Sequence, residues 1–144
     1  MPSKEIYFEE ITQLIAHREP VLMVDSLKIR KDAFQGTTFY RISPKCVFLN
    51  SFSELTPEGL LEHIAQSSAA MIGSYNTKVI IGLIGEIIEC SFYSSSLKVG
   101  DSIMTEIKLL FEYNNVFLVS ATSHFNKQMI IVCKMKLSLN TMTD

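Results

Sequence analysis

The chain has 144 residues, 47% of them hydrophobic and 19% charged, with a formal net charge of −2. A chain of that length makes one domain able to bury roughly 70% of the surface its unfolded form exposes, and it is too rich in Ile, Leu, Phe and Met for a disordered polymer. The slight acidity argues against a nucleic-acid binder, which is usually basic overall. Cys46, Cys90 and Cys133 are odd in number and widely spaced, with neither a C-x-x-C pair nor Cys/His metal-ligand spacing, so they read as reduced, partly buried small hydrophobes. The longest apolar stretch, Val79 to Ile88, is broken by Gly82, Gly85 and Glu86 and is shorter than the roughly 20 residues a membrane helix needs. The opening Met-Pro-Ser-Lys-Glu has no signal-peptide character. A cytoplasmic protein with no membrane segment is expected.

In chain order, Ser3 is suited to cap a short helix from Lys4 to about Ile15, with Ile6, Ile11, Leu14 and Ile15 as its apolar stripe. After Pro20, Val21 to Arg30 reads as a strand passing from buried to half-exposed, and Phe34 to Ile42 as a second. Ser43 to Thr56 has no clean period and reads as a loop with a short turn. Thr56 as N-cap and Pro57 at the first helical position then open the one long helix, closed by Gly73. Beyond Gly59 its residues are apolar or small on all sides except Glu62, His63 and Gln66, the mark of a helix buried on most of its circumference.

Four strands follow, Val79 to Cys90, Ser102 to Tyr113, Val116 to Phe125 and Gln128 to Leu139. Asn114-Asn115 and Asn126-Lys127 are connectors of the kind tight hairpins favour. In the last strand Lys134, Lys136 and Ser138 alternate with Cys133, Met135, Leu137 and Leu139, as on a sheet with one wet face. The predicted whole is α+β: an antiparallel meander in the C-terminal half, and about six strands curved around one buried helix, in a single domain covering residues 1–144.

An ionisable group on a buried helix is the strongest pointer to chemistry. A carboxyl withdrawn from water must be paired, hydrogen-bonded or proton-bearing, and the last state suits general-acid work. Glu62 is that group; a helix-edge Glu near solvent is the structural alternative. Gln66, four residues on, shares its face and is placed either to orient the carboxyl or to bind a substrate carbonyl. His63 projects about 100° away around the helix and is not expected to share the site. His17 lies at a helix–strand junction, where a lone His is usually a structural hydrogen-bonder, and His124 reads as an edge-strand residue.

The run Ile15-Ala16-His17-Arg18-Glu19-Pro20-Val21-Leu22-Met23-Val24-Asp25 resembles the L-P-H-R-x-P-x-L-L-x-D opening of β-hydroxyacyl-ACP dehydratases. The run Gly59-Leu60-Leu61-Glu62-His63-Ile64-Ala65-Gln66 resembles the E-x-M-A-Q-A central helix of the same family. The resemblance implies a hotdog fold and a homo-oligomer built from dimers, with an acyl tunnel between subunits. It also implies that a His of one subunit works with an acidic residue of the other. The acidic residue corresponds to Glu62. The family's G-H-F-P-G loop is replaced here around Cys46-Val47-Phe48-Leu49-Asn50, and no His occurs between His17 and His63. The sequence is in this respect similar to the dehydratase-like branch of aryl polyene and related pigment pathways, which keeps the H-R opening and the E-x-x-A-Q helix without that loop.

On this resemblance the expected activity is dehydration of 3-hydroxyacyl-ACP thioesters, in fatty acid or polyene pigment synthesis, with His17 as base and Glu62 as acid. Gln66 is assigned to substrate binding, as are Glu58 and Gly59 through N–H groups at the helix start. Gly82 and Gly85 leave room for an acyl chain or mark a bulge. The partner is acyl carrier protein with its acyl-phosphopantetheine, to which the basic residues among Arg18, Lys28, Arg30, Lys31, Arg41 and Lys45 are suited if they do more than solvate the surface. No metal or nucleotide cofactor is implied. The competing readings are a non-catalytic acyl-binding subunit of a hetero-oligomer and a hotdog acyl thioesterase.

Overall fold

Three features coincide at Thr56 to start the long helix. Its backbone is extended, its hydroxyl accepts the Gly59 N–H at 3.1 Å, and Pro57 begins the first turn without needing a carbonyl partner. In the computed structural model, which describes residues 5–75, 79–93 and 96–141, this helix, α1, spans Pro57–Gly73, and every residue from His63 to Gly73 is buried. Gly73 ends it without a positive φ. Its role is close approach, since a Cβ there would lie 2.7 Å from the Leu14 carbonyl oxygen.

Seven strands, one more than the sequence suggests, form one antiparallel sheet: β1 Glu5–Phe8, β2 Ser26–Arg30, β3 Gln35–Arg41, β4 Ile80–Phe92, β5 Ser102–Tyr113, β6 Val116–Phe125 and β7 Gln128–Thr141. Their spatial order is β1-β2-β3-β5-β6-β7-β4. At both connectors the two central residues have positive φ: Asn114 and Asn115 at 49° and 63°, Asn126 and Lys127 at 52° and 65°. Such turns match the right-handed twist of the strands they join. Cys133, Met135, Leu137 and Leu139 on β7, with Phe117, Val119 and Ala121 on β6, are buried and form much of the core opposite α1.

Four expectations are corrected. The first helix does not form: Glu5–Phe8 is an edge strand in register with Arg30–Leu27, and only a 3-10 turn occurs, at Ile11–Gln13. Ladder bonds to β2 and the Lys28–Glu5 ion pair at 2.9 Å favour the strand, and Ile6 is exposed, which breaks the supposed helical stripe. Ser3 and Lys4 lie outside the described residues. Second, only β5, β6 and β7 run as a meander, because β4 pairs with β7 and takes the far edge. Third, His124 is on an interior strand, flanked by Met104 and Met129. The segment Val21–Asp25, read as strand, lies ahead of β2 and is held instead by side chains of α1.

A polar line crosses the core. His63 is fully buried, with Nδ1 2.7 Å from Met23 O and Nε2 2.7 Å from Thr105 Oγ1, itself 2.6 Å from Ser123 Oγ. A carbonyl only accepts, so Nδ1 carries the hydrogen; Nε2 then accepts from Thr105, which accepts from Ser123. The Tyr40 ring stacks on the imidazole at 5.8 Å. Burial pushes the His63 pKa down to about 4. Between that value and the ordinary 6.5 the unfolded chain binds a proton that the folded chain refuses. The stabilisation is therefore complete above pH 6.5 and is lost as pH falls to 4, by about 3 kcal/mol from this group. Urea unfolding at a series of pH values checks the slope, and NMR of the imidazole is expected to show it neutral at pH 5.

Candidate active site

The segment that brings His17 to the helix is organised by Arg18. Its Nη1 donates to Ile15 O at 2.9 Å and His17 O at 2.8 Å, and its Nη2 to Thr12 O at 3.1 Å, so the guanidinium folds back and fixes the backbone around His17. Ala16 N–H donates to Ile80 O, and Ile80 N–H to Leu14 O, which moors the segment to the start of β4. Beyond the cis Glu19-Pro20 bond, Gln66 closes the other side. Gln66 Oε1 accepts the Met23 N–H at 2.7 Å, while Nε2 donates to Val21 O at 2.9 Å and to Glu62 Oε1 at 3.0 Å.

His17 Nε2 lies 3.6 Å from Glu62 Oε1, and the two side chains are 16% and 26% exposed. They belong to one chain, whereas the family resemblance implies a pair shared between subunits. The oxygen facing His17 is the one Gln66 holds, which leaves Oε2 turned to other partners. The other ring nitrogen, His17 Nδ1, is buried with no hydrogen-bond partner among the described residues. Such orphans are rare in folded proteins; the Tyr75 hydroxyl and His124 Nδ1 are two more here.

Among the predicted substrate-binding residues, the structure gives Gln66 a different place. It is buried, with both amide hydrogens and its carbonyl oxygen engaged, so it orients Glu62 and has no donor left for a substrate. Gly59 is likewise occupied: its N–H goes to Thr56, and a Cβ there would come within 2.5 Å of Phe48 Cβ and 2.7 Å of Leu55 Cδ1. The glycine is required by the loop packed on the helix start. Glu58 is exposed in the first turn, one turn before Glu62 on the same helix face.

Sequence reasoning did not find the backbone of Val21 and Met23 as the anchor of the site, because a main-chain partner carries no residue signature. Gly82, read as room for an acyl chain or a bulge, instead lets β4 lie close against the helix. A Cβ on Gly82 would lie 3.0 Å from Ala69 Cβ and 2.9 Å from Leu139 Cδ2, so β4 is drawn close to the Ala65–Ala69 face of α1. From there the β4 register with β7 places Ile84 and Ile87 opposite the core residues Leu137 and Met135, yet both are exposed. An uncovered apolar lane thus runs along β4 away from the site. Among the described residues no cluster of three or more metal-binding side chains occurs, and no helix is long and apolar enough to cross a membrane.

A seven-stranded antiparallel sheet folded around one long helix is the hotdog fold. No protein-family model matches the sequence, and no curated protein matches it. Solved structures do. The dehydratase heterocomplex ApeI:P from Xenorhabdus doucetiae superposes with a TM-score of 0.78 at 12% identity, over 90% of each chain. A hypothetical thioesterase from Streptococcus pneumoniae TIGR4, solved with coenzyme A, gives 0.57 at 8% identity over 78% of this chain and 83% of that one. The E. coli PaaI protein from the phenylacetic acid degradation operon gives 0.58 at 10% identity, over 76% and 79%. Both a dehydratase and thioesterases thus stand among the hotdog neighbours.

Replacing Gln66 by Leu strands the Met23 N–H and the Val21 carbonyl. The expected cost is about 3 kcal/mol, read as a lower urea midpoint.

Proposed function

We propose that the chain is a dehydratase that converts 3-hydroxyacyl thioesters on acyl carrier protein to 2-enoyl thioesters, in fatty acid or polyene pigment synthesis. The observation that carries this reading is the His17–Glu62 contact, with the carboxyl oriented by Gln66. Elimination of water from a β-hydroxy thioester needs a base at the α-carbon and an acid at the hydroxyl, close together and aimed at adjacent atoms. His17 removes the α-proton and Glu62, through Oε2, protonates the departing hydroxyl. The step leaves an imidazolium beside a carboxylate; the proton passes from Nε2 to Oε1 across their own contact, and exchange between the two carboxyl oxygens through water restores it to Oε2, which resets the site. A carboxyl and an imidazole side by side with a ready path between them serve this cycle better than thioester hydrolysis, in which a water must also be placed.

The acyl chain lies along Ile84 and Ile87 in this reading, and a second copy of the chain covers it. β4 supports that arrangement: it is a 13-residue edge strand that exposes Leu83, Ile84, Ile87, Ile88 and Phe92. Long apolar edges of this kind pair with another strand or aggregate. Arg41 and Lys45, exposed at and after the end of β3, are basic residues for an acidic carrier, whereas Arg18 is spent on its own segment and Lys28 on Glu5. The ApeI:P neighbour, a heterocomplex, favours as a second reading an acyl-binding subunit that completes another chain's enzyme.

Purified protein incubated with 3-hydroxyacyl-ACP of several chain lengths is expected to yield a product lighter by one water, followed by mass spectrometry. His17→Ala and Glu62→Gln each reduce the rate by roughly 10²–10⁴-fold with the fold intact by circular dichroism. No turnover by the wild type at any chain length sinks the enzyme reading, and release of free acid identifies a thioesterase.

For the assembly, light scattering is expected to give at least a dimer for the wild type. Ile87→Lys, which sets a charge on the apolar edge, shifts the chain to monomer. A monomeric wild type overturns the shared lane.

A further inference from the structure

The sequence separates its cysteines widely, but the sheet brings two of them together. Cys90 on β4 and Cys133 on β7 are directly opposed partners of the antiparallel pair. Directly opposed residues of an antiparallel pair project from the same face of the sheet, so the two side chains are neighbours. Opposed residues in an antiparallel ladder have Cα atoms about 4.5 or 5.5 Å apart, and a disulfide spans about 4.4–6.8 Å. Either kind of ladder position therefore accommodates a bridge without moving the strands apart. Cys133 is buried and Cys90 only partly so. Cys46 is buried in the loop after β3, with its thiol against the Tyr40 hydroxyl, and serves as an internal control.

We propose that Cys90 and Cys133 are a redox pair that closes a reversible cross-strand disulfide on exchange with a low-molecular-weight disulfide of the oxidised glutathione type. The Cys90 thiolate attacks one sulfur of the oxidant, breaking its S–S bond and releasing one thiolate, which takes up the proton Cys90 lost. The Cys133 thiolate then attacks the Cys90 sulfur and expels the second small thiol. Two protein thiols are oxidised and one small disulfide is reduced to two thiols. The bridge fastens the far part of β4 to β7 beyond two irregularities of the ladder, between Ile84 and Glu86 and between Ile87 and Glu89, where the pairing is weakest. Burial pushes the Cys90 thiol up and that of Cys133 to about 12, so the exchange is base-accelerated: its rate rises about tenfold per pH unit between 7 and 9. The inference does not depend on the dehydratase reading.

The test uses the full chain, reduced, desalted and incubated with oxidised glutathione at pH 7, 8 and 9. It is then labelled with N-ethylmaleimide in denaturant, weighed and digested. The expected product carries one maleimide where the reduced protein carries three, retains no glutathione, and gives a linked peptide pair containing Cys90 and Cys133. Dithiothreitol restores three labelled thiols. Cys46→Ser leaves the bridge intact, and Cys90→Ser abolishes it. In amide hydrogen exchange the oxidised wild type is expected to show increased protection at Glu89–Phe92. Three labelled thiols after incubation at pH 9, a lasting glutathione adduct on Cys90, or a bridge that includes Cys46 overturns the proposal.

Discussion

The arrangement depends on one buried amide. Gln66 ties the helix that carries it to the Val21–Met23 backbone and, one turn back on the same helix, holds the Glu62 carboxyl. Its hydrogen bonds lie out of water, where an unmade bond costs far more than a made one contributes. The segment must therefore lie where the amide places it, and His17 at its head is carried to Glu62. His63, on the next face of α1, takes the Met23 carbonyl and so fastens the same residue from a second direction. The site is thus fixed from two sides, by the helix through Gln66 and His63 and by the segment itself through Arg18.

What the sequence disclosed follows the range of the forces involved. The bounds of α1 were legible because Thr56, Pro57 and the unbroken run of small and apolar residues act locally, and the two hairpins because Asn tolerates positive φ. The first strand was not. Glu5–Phe8 has too few residues for its own periodicity to decide, and its partner, Leu27–Arg30 on β2, lies outside any local window. The same holds for β4, whose length was clear but whose place beside β7 is a property of the whole sheet. Two glycines show the limit within a well-read element. Gly59 and Gly73 both look like helix-end residues, yet each is small because another part of the chain presses against it, Phe48 and Leu55 in one case and the Leu14 carbonyl in the other.

The three histidines show why residue type alone does not assign chemistry. His63 sits nearest in sequence to the carboxylate and is the least available of the three, neutral and bonded at both nitrogens. His17, 45 residues before Glu62, is its spatial neighbour. His124 is on β6, opposite Met104 of β5, with its Nδ1 buried. The long-range bonds of Gln66 and the local bonds of Arg18 bring the second to the carboxylate, and neither set is visible as a pattern in the chain.

The loop that replaces the family's His-bearing one bears on how the proposed reaction is divided between chains. Phe48 from that loop lies on Gly59 at the start of α1, and the Phe48 carbonyl accepts the Thr56 N–H, so the loop is a lid of packing on the helix start. A base could not be placed there without giving up that packing. In the proposed reaction His17 and Glu62 of one chain make up the proton pair, and a second copy serves the acyl lane alone. Assembly and proton transfer are then separable. Disrupting the β4 edge removes the cover from Ile84 and Ile87 but leaves the Gln66 bonds that orient Glu62 in place. The loss then falls on binding of the acyl chain more than on the chemical step, which is the reverse of what a site shared between subunits requires.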